Sequence, residues 1–190
     1  LAVCRSVRTP ALFPLRLFAA AYTDIFRGIP VILTILLVGF GVPGLGLHRP
    51  WNSPYLWGSV ALVLAYSSYV AEVFRAGIES VHESQRAGAR SLGLSSAQTL
   101  RFVVLPQAVR RVIPPLMNDF VSLQKDVALI SLIGPIEILR QAGIDKSKYA
   151  NFTPYVGAAI IFLLLTIPET RFVDHLMTRE RRRTSGTAVR

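Results

Sequence analysis

Polar side chains stranded inside long apolar stretches are where this sequence could do chemistry. Ser67, Ser68 and Glu72 lie in one such stretch; Asn118, Asp119 and Gln124 lie in another, followed directly by Lys125 and Asp126. Such groups can line a hydrated path for a polar solute, because an uncompensated polar group in hydrocarbon is costly and turns toward a bundle interior or a subunit interface. Each also has a purely structural use. Ser67 and Ser68 can pack helices as small hydroxyl residues, Glu72 and Asp119 can pair with a neighbouring arginine, and Lys125 with Asp126 can form an external gate or a plain ion pair. Reaction chemistry finds no foothold. The 11 carboxylates show no paired catalytic arrangement. His48, His82 and His175 lack metal-ligand spacing, so no metal site is expected. No G-x-x-x-x-G-K-[ST] and no serine nucleophile elbow occurs, and Cys4 stands alone, so no internal disulfide is available.

The elements that carry these residues are apolar and long. Of the 190 residues 52% are hydrophobic and only 17% charged, with a mean hydropathy of +0.45; soluble domains carry about a quarter charged residues. The excess is clustered: Gly28 to Leu47 is an uncharged run of 20 residues, Pro50 to Ala71 one of 22, and Tyr149 to Pro168 one of 20. As helices each reaches about 30 Å, the thickness of a bilayer's hydrocarbon core. Helices and closed barrels alone satisfy every backbone group in lipid, and barrel-like alternation is missing, so the runs predict a helical membrane protein. The net charge of +10 suits either nucleic acid or an anionic membrane face. The basic residues flank apolar spans and form no compact basic domain, so membrane lipid is the expected partner and nucleic acid is not.

Three spans would put two basic termini on opposite faces: Arg5, Arg8, Arg16 and Arg27 at one end, and Arg171, Arg179, Arg181, Arg182, Arg183 and Arg190 at the other. The positive-inside rule calls for an even number. The remaining candidate runs from about Phe102 to Gln124, interrupted by Arg110, Arg111, Asp119 and the pair Pro114-Pro115. A broken, partly polar helix is tolerated in a membrane where protein or a water-lined path surrounds it. The expected spans are thus about 28–47, 54–76, 103–124 and 152–173 within a single transmembrane domain over 1–190. Residues 1–27 form a cytoplasmic or interfacial segment, about 77–105 a cytoplasmic loop, and 174–190 a basic cytoplasmic tail. This places 16 of the 21 Lys and Arg residues inside and 5 outside, with both termini cytoplasmic. No uncharged piece before Asp24 is long enough to span; the segment reads as the loop that follows a missing element, not as a signal peptide.

The long loop is the most informative stretch. No proline occurs from Tyr55 to Leu105, and Val73, Gly77 and Val81, with Phe74 and Ile78, recur at helical spacing, extending the second span into the cytoplasm. Gly93 supplies a helix stop, and Ser95 with Gln98 reads as a capping box that starts a new helix. The result is a helix, a glycine turn and a helix, with Pro106 where the chain meets the membrane. Such an elbow can dock in another protein's groove as a lever. Equally, it can lie on lipid headgroups through Arg86, Arg90 and Arg101.

Gln85-Arg86-Ala87-Gly88-Ala89-Arg90-Ser91-Leu92-Gly93-Leu94-Ser95, followed by Val103-Val104-Leu105-Pro106, resembles the signature loop of binding-protein-dependent ABC permeases: E-A-A, a glycine four residues after the last alanine, then I-x-L-P. The signature glutamate is replaced by Ala87, which removes any contact that carboxylate makes without changing the loop's identity. Phe26-Arg27-Gly28-Ile29-Pro30, Glu72-Val73-Phe74-Arg75-Ala76-Gly77-Ile78, Leu105-Pro106-Gln107-Ala108-Val109-Arg110-Arg111, and Leu123-Gln124-Lys125-Asp126 with Leu129-Ile130-Ser131-Leu132-Ile133-Gly134 look like the polar amino-acid family of histidine, glutamine and arginine type. The match covers about residues 1 to 180 in consistent order.

The resemblance implies an all-α, polytopic transmembrane bundle of MetI-like permease fold, with about four spans here and the family's usual first span missing. It implies a polar amino-acid importer in the bacterial inner membrane, fed by an extracytoplasmic amino-acid-binding protein and paired with a second permease subunit, a copy or a paralogue. Two copies of an ABC ATPase would carry ATP and Mg, leaving this chain without cofactor or catalysis. The ATPase-coupling residues would be Arg86, Ala87, Gly88, Ala89, Arg90, Gly93, Leu94, Ser95, Leu105 and Pro106; the substrate path Ser67, Ser68, Glu72, Asn118, Asp119 and Gln124; the external gate Lys125 and Asp126. A permease for an opine or organic anion is the rival within transport, and a membrane scaffold the rival outside it.

Overall fold

The structure, a computed structural model, describes residues 13–46 and 51–185, with side chains as far as 178. Cys4, Arg5, Arg8, His48, Arg49 and Arg190 lie outside the described residues. Helix α1, Phe13–Gly28, gives way at Pro30 to α2, Val31–Gly41, at a bend of 103°. Proline disfavours helical geometry in the residue before it, so Ile29 falls between the helices while Pro30 opens the next one. A 3-10 turn, Pro43–Leu45, closes the segment. Helix α3, Pro54–Glu79, begins with proline in its first turn, where the missing N–H has no helical partner to lose. Its 26 residues reach about 39 Å, more than a hydrocarbon core.

The loop that follows holds α4, Glu83–Ser91, and α5, Ser96–Thr99, which runs through a π-helical turn, Leu100–Val104, into α6, Leu105–Asp126. A 3-10 stretch, Val127–Ile133, leads to α7, Ile138–Tyr149, and the chain ends in α8, Thr153–Ser185. Among the described residues there are no strands. The fold is an all-α transmembrane bundle. By length and composition α3 and Thr153–Thr178 of α8 can each cross a membrane alone, and up to four crossings exist if the two bent pairs, α1 with α2 and Ser96–Ile133 with α7, each count as one.

Several elements differ from the sequence-based expectation. Within the run 28–47 the α-helix is the 11-residue α2, about 16 Å long and too short to cross without α1 in series. Residues 13–28 are a helix packed on α3, where a loop was expected. Pro114 and Pro115 sit inside a continuous α6 and do not break it; contacts with α3 and α8 hold it, and the irregular geometry falls at its two ends. The stretch 124–152, expected to be an external loop, folds into α7, whose first turn is capped by Glu137 accepting from the Leu139 and Arg140 N–H groups at 2.8 and 2.7 Å.

Two apolar cores tie these helices together. One joins α2, α3 and the 3-10 stretch through Ile35, Ala61, Leu62, Ile130 and Ile133. The other lies under the loop and joins α3 to α6 through Ile78, Val81, Val104 and Ala108. Here Gly77 lets the helices close up: a Cβ at this position would overlap the Val112 side chain.

Candidate functional site

The loop between α3 and α6 is a braced elbow. Helix α3 stops at Ser80, and α4 starts on His82, whose Nδ1 accepts from the Ser84 N–H at 3.2 Å. The α4 end is a Schellman turn. Gly93 has φ +85°, its N–H donates to the Arg90 carbonyl at 3.0 Å, and the Leu94 N–H reaches Ala89 at 3.2 Å. Every L side chain is strained at that φ, which is why glycine stands there. Ser95 then forms its capping box, accepting from the Gln98 N–H at 3.3 Å while its own N–H donates to Gln98 Oε1 at 2.9 Å.

Two guanidinium groups fasten the elbow to the bundle. Arg86 donates to the Ile78 carbonyl at 2.6 Å, and Arg111 donates to the Ser80 carbonyl and, at 3.0 Å, to its hydroxyl. Of the predicted coupling residues, Ala87, Gly88, Arg90, Gly93, Ser95, Leu105 and Pro106 are exposed, Arg86 and Leu94 are half-buried, and Ala89 faces the core. At the tip stands Leu92, 82% exposed, an apolar side chain that the motif reading passed over.

The polar residues within the spans form separate groups. Ser68 is fully buried, and its hydroxyl donates to the Ala65 carbonyl of its own helix at 2.6 Å. Ser67 lies 2.6 Å from the Tyr22 hydroxyl, and both reach the Leu64 carbonyl. Glu72 accepts from Arg75, with Nε at 3.0 Å, and faces Arg27 of α1 at 3.6 Å; Arg75 continues to Glu79. This ladder joins α1 to the end of α3 nearest the elbow.

Toward the other end of α6, the Gln124 amide, turned with its nitrogen toward α8, donates to Glu169 at 2.8 Å to Oε1 and also to Oε2. Asp126 accepts from the Tyr66 hydroxyl at 2.8 Å, whereas among the described residues no ion pair joins it to exposed Lys125. Asn118 is exposed, and Asp119 is half-buried with its Oδ2 lacking a hydrogen-bond partner. Tyr22, Tyr66 and Glu169 were missed by sequence reasoning. Glu169 had a signal, since it directly follows the apolar run ending at Pro168. Among the described residues no group of His, Cys, Asp and Glu could hold a metal ion.

Residues 11–182 match the family of binding-protein-dependent transport system inner membrane components. The chain belongs to that family. It is 34% identical over 174 residues to a probable glutamine ABC transporter permease of Bacillus subtilis, covering 91% of this chain and 79% of that one. It is 35% identical over 169 residues to a putative glutamine transport permease of Rickettsia conorii, covering 88% and 75%. A solved crystal structure of an amino acid ABC transporter with histidines is similar with a TM-score of 0.83 and 34% identity, over 95% of this chain and 81% of that chain. The permease is therefore a multi-pass inner-membrane transport subunit.

Proposed function

We propose that this permease carries a polar amino acid across the cytoplasmic membrane, driven by ATP hydrolysis in a separate subunit and fed by an extracytoplasmic binding protein. The relatives named for glutamine support the substrate class, as does an arginine transport permease of Bacillus subtilis 31% identical over 148 residues. The single observation that carries the coupling role is the elbow: braced to α3 by Arg86 and Arg111, capped at both turns, and presenting Leu92 outward. A rigid projection of this kind transmits motion, whereas a lipid-lying helix needs no such bracing. Two ATPase copies would grip the elbows of two permease subunits, this chain and a copy or paralogue, and ATP and Mg would be held there. The elbow and both termini would face the cytoplasm, as the basic residues of the elbow and of the C-terminal tail favour. The crossings would be α1 with α2, α3, the rod ending in α6, and α8.

Within the path, Asp119 is the strongest of the proposed residues, because its half-buried carboxylate has an oxygen with no hydrogen-bond partner in the bundle, a group that a solute's ammonium would satisfy once the path opens. Asn118, Gln124, Ser67 and Glu72 would flank it, while Ser68 serves helix packing and Asp126, held by Tyr66, sits with Lys125 at the outer gate. The deciding experiment is solute-stimulated ATP hydrolysis by the reconstituted complex, screened across amino acids, opines and organic anions. Stimulation by a polar amino acid is expected. Stimulation by opines or organic anions alone overturns the substrate class, and a complex that co-purifies with no ATP-binding subunit overturns the transport reading.

A further inference from the structure

Helix α6 is enclosed on two sides and open on two. Val112 lies against Gly77 of α3, Asp126 reaches Tyr66 of the same helix, and Gln124 reaches Glu169 of α8. Of the open sides, one is apolar: Val109, Ile113 and Phe120 are 41%, 44% and 55% exposed. The other is polar. Asn118, Ser122 and Lys125 are exposed and recur at i, i+4 and i+7, so they form one face. At 3.6 residues per turn the two faces are about 170° apart. Lipid explains the apolar face and not the polar one. Asp126 meets Tyr66, the 13th of the 26 residues of α3, so Lys125 beside it stands about 18 Å from the Pro54 end, near the middle of a span. The chain runs on from there toward that end, where Ile130 and Ile133 lie against Gly58. Lys125 is therefore not at a helix end from which its ammonium could reach headgroups. It has no salt-bridge partner among the described residues.

We propose that the face of α6 carrying Asn118, Ser122 and Lys125 borders a water-filled cleft whose far wall is a second copy of this chain, while Val109, Ile113 and Phe120 face lipid. Depth selects the occupant. Hydrocarbon does not solvate an ammonium group, and a soluble partner at either membrane surface does not reach the middle of a span. What remains is another membrane subunit, with water between. Two copies related by a two-fold axis along the membrane normal bring equal depths together, so each Lys125 faces its counterpart. Like charges rule out a dry contact and hold the two faces apart across water, where their repulsion is weakest. This arrangement requires the paired permease proposed above but no particular solute. It adds to the lining Ser122, which lies in none of the signature stretches, and it decides which side of α6 meets the partner.

The test uses the assembled transporter in lipid nanodiscs, with single cysteines in a Cys4→Ser background. Ser122→Cys should react with a charged, membrane-impermeant thiosulfonate at least about tenfold faster than Ile113→Cys or Phe120→Cys, because the reagent does not enter hydrocarbon. Spin labels on the same cysteines then locate the second copy. Since α6 is about 10 Å across, the two Phe120→Cys labels should lie about 20 Å farther apart than the two Ser122→Cys labels. If Ser122→Cys does not assemble, Asn118→Cys gives the same two readings. Equal reactivity of the polar and apolar faces, Phe120→Cys labels as close as the Ser122→Cys labels, or no dipolar coupling at all would each overturn the proposal, the last by showing that the partner is not a copy. A transporter that passes both measurements and is not stimulated by amino acids keeps the cleft and loses only the solute class.

Discussion

At the scale of single residues, two glycines and one leucine carry most of the specificity of the elbow. Gly77 is buried where a Cβ would overlap Val112, so Gly77→Ala should separate α3 from α6 and lower stability by about 1–3 kcal/mol, read as a drop in the melting temperature of the purified permease. An unchanged melting temperature would show that the helices can slide apart without loss. Gly93 differs in kind: nothing crowds it, but its φ of +85° costs a side-chain-bearing residue about 1–2 kcal/mol. Gly93→Asn should therefore retain more substrate-coupled ATP hydrolysis than Gly93→Val. Equal activity in the two variants would remove the turn from the coupling role. Leu92→Ser leaves every bracing hydrogen bond in place and should still reduce affinity for the ATPase, measured by co-purification. The glycine stop and the capping serine were legible in the sequence because both act within a few residues. Leu92 was not, since exposure depends on where the braced turn points.

Among the elements, α6 is held at its polar C-terminal end. Tyr66 of α3 donates to Asp126, and Gln124 binds Glu169 of α8. Tyr66→Phe removes a hydrogen bond to a charged group, worth about 1.5–3 kcal/mol, and should loosen the α3–α6 contact. Limited proteolysis of the region after Asp126 would report it, and unchanged cleavage would mean that the apolar core around Ile130 and Ile133 suffices alone. Helix α6 also shows why a break was expected where none occurs. Pro114-Pro115 reads as a break, yet the helix continues because neighbours on two sides support it, a condition no local pattern encodes. Conversely, α7 carries polar and charged residues at Arg140, Gln141, Asp145 and Lys146 within its 12 residues, so its helical face was hidden inside what looked like a loop.

For the whole molecule, two helices are long and apolar enough to cross alone, and the two bent pairs raise the number to four if each counts as one crossing. In cells, a cysteine at Leu92 should react with reagents only from the cytoplasm and one at Trp51 only from outside, in a Cys4→Ser background. Reaction of Leu92→Cys from outside would invert the orientation and separate the elbow from any cytoplasmic ATPase. The sequence by itself determined that this chain is a helical membrane protein of the permease family with a capped loop, because hydropathy, charge bias, caps and signature residues are all local properties. Only the tertiary structure decided which polar groups meet. Tyr22 reaches Ser67 across 45 positions and Tyr66 reaches Asp126 across 60, and such pairings follow from how helices pack, which no single segment specifies.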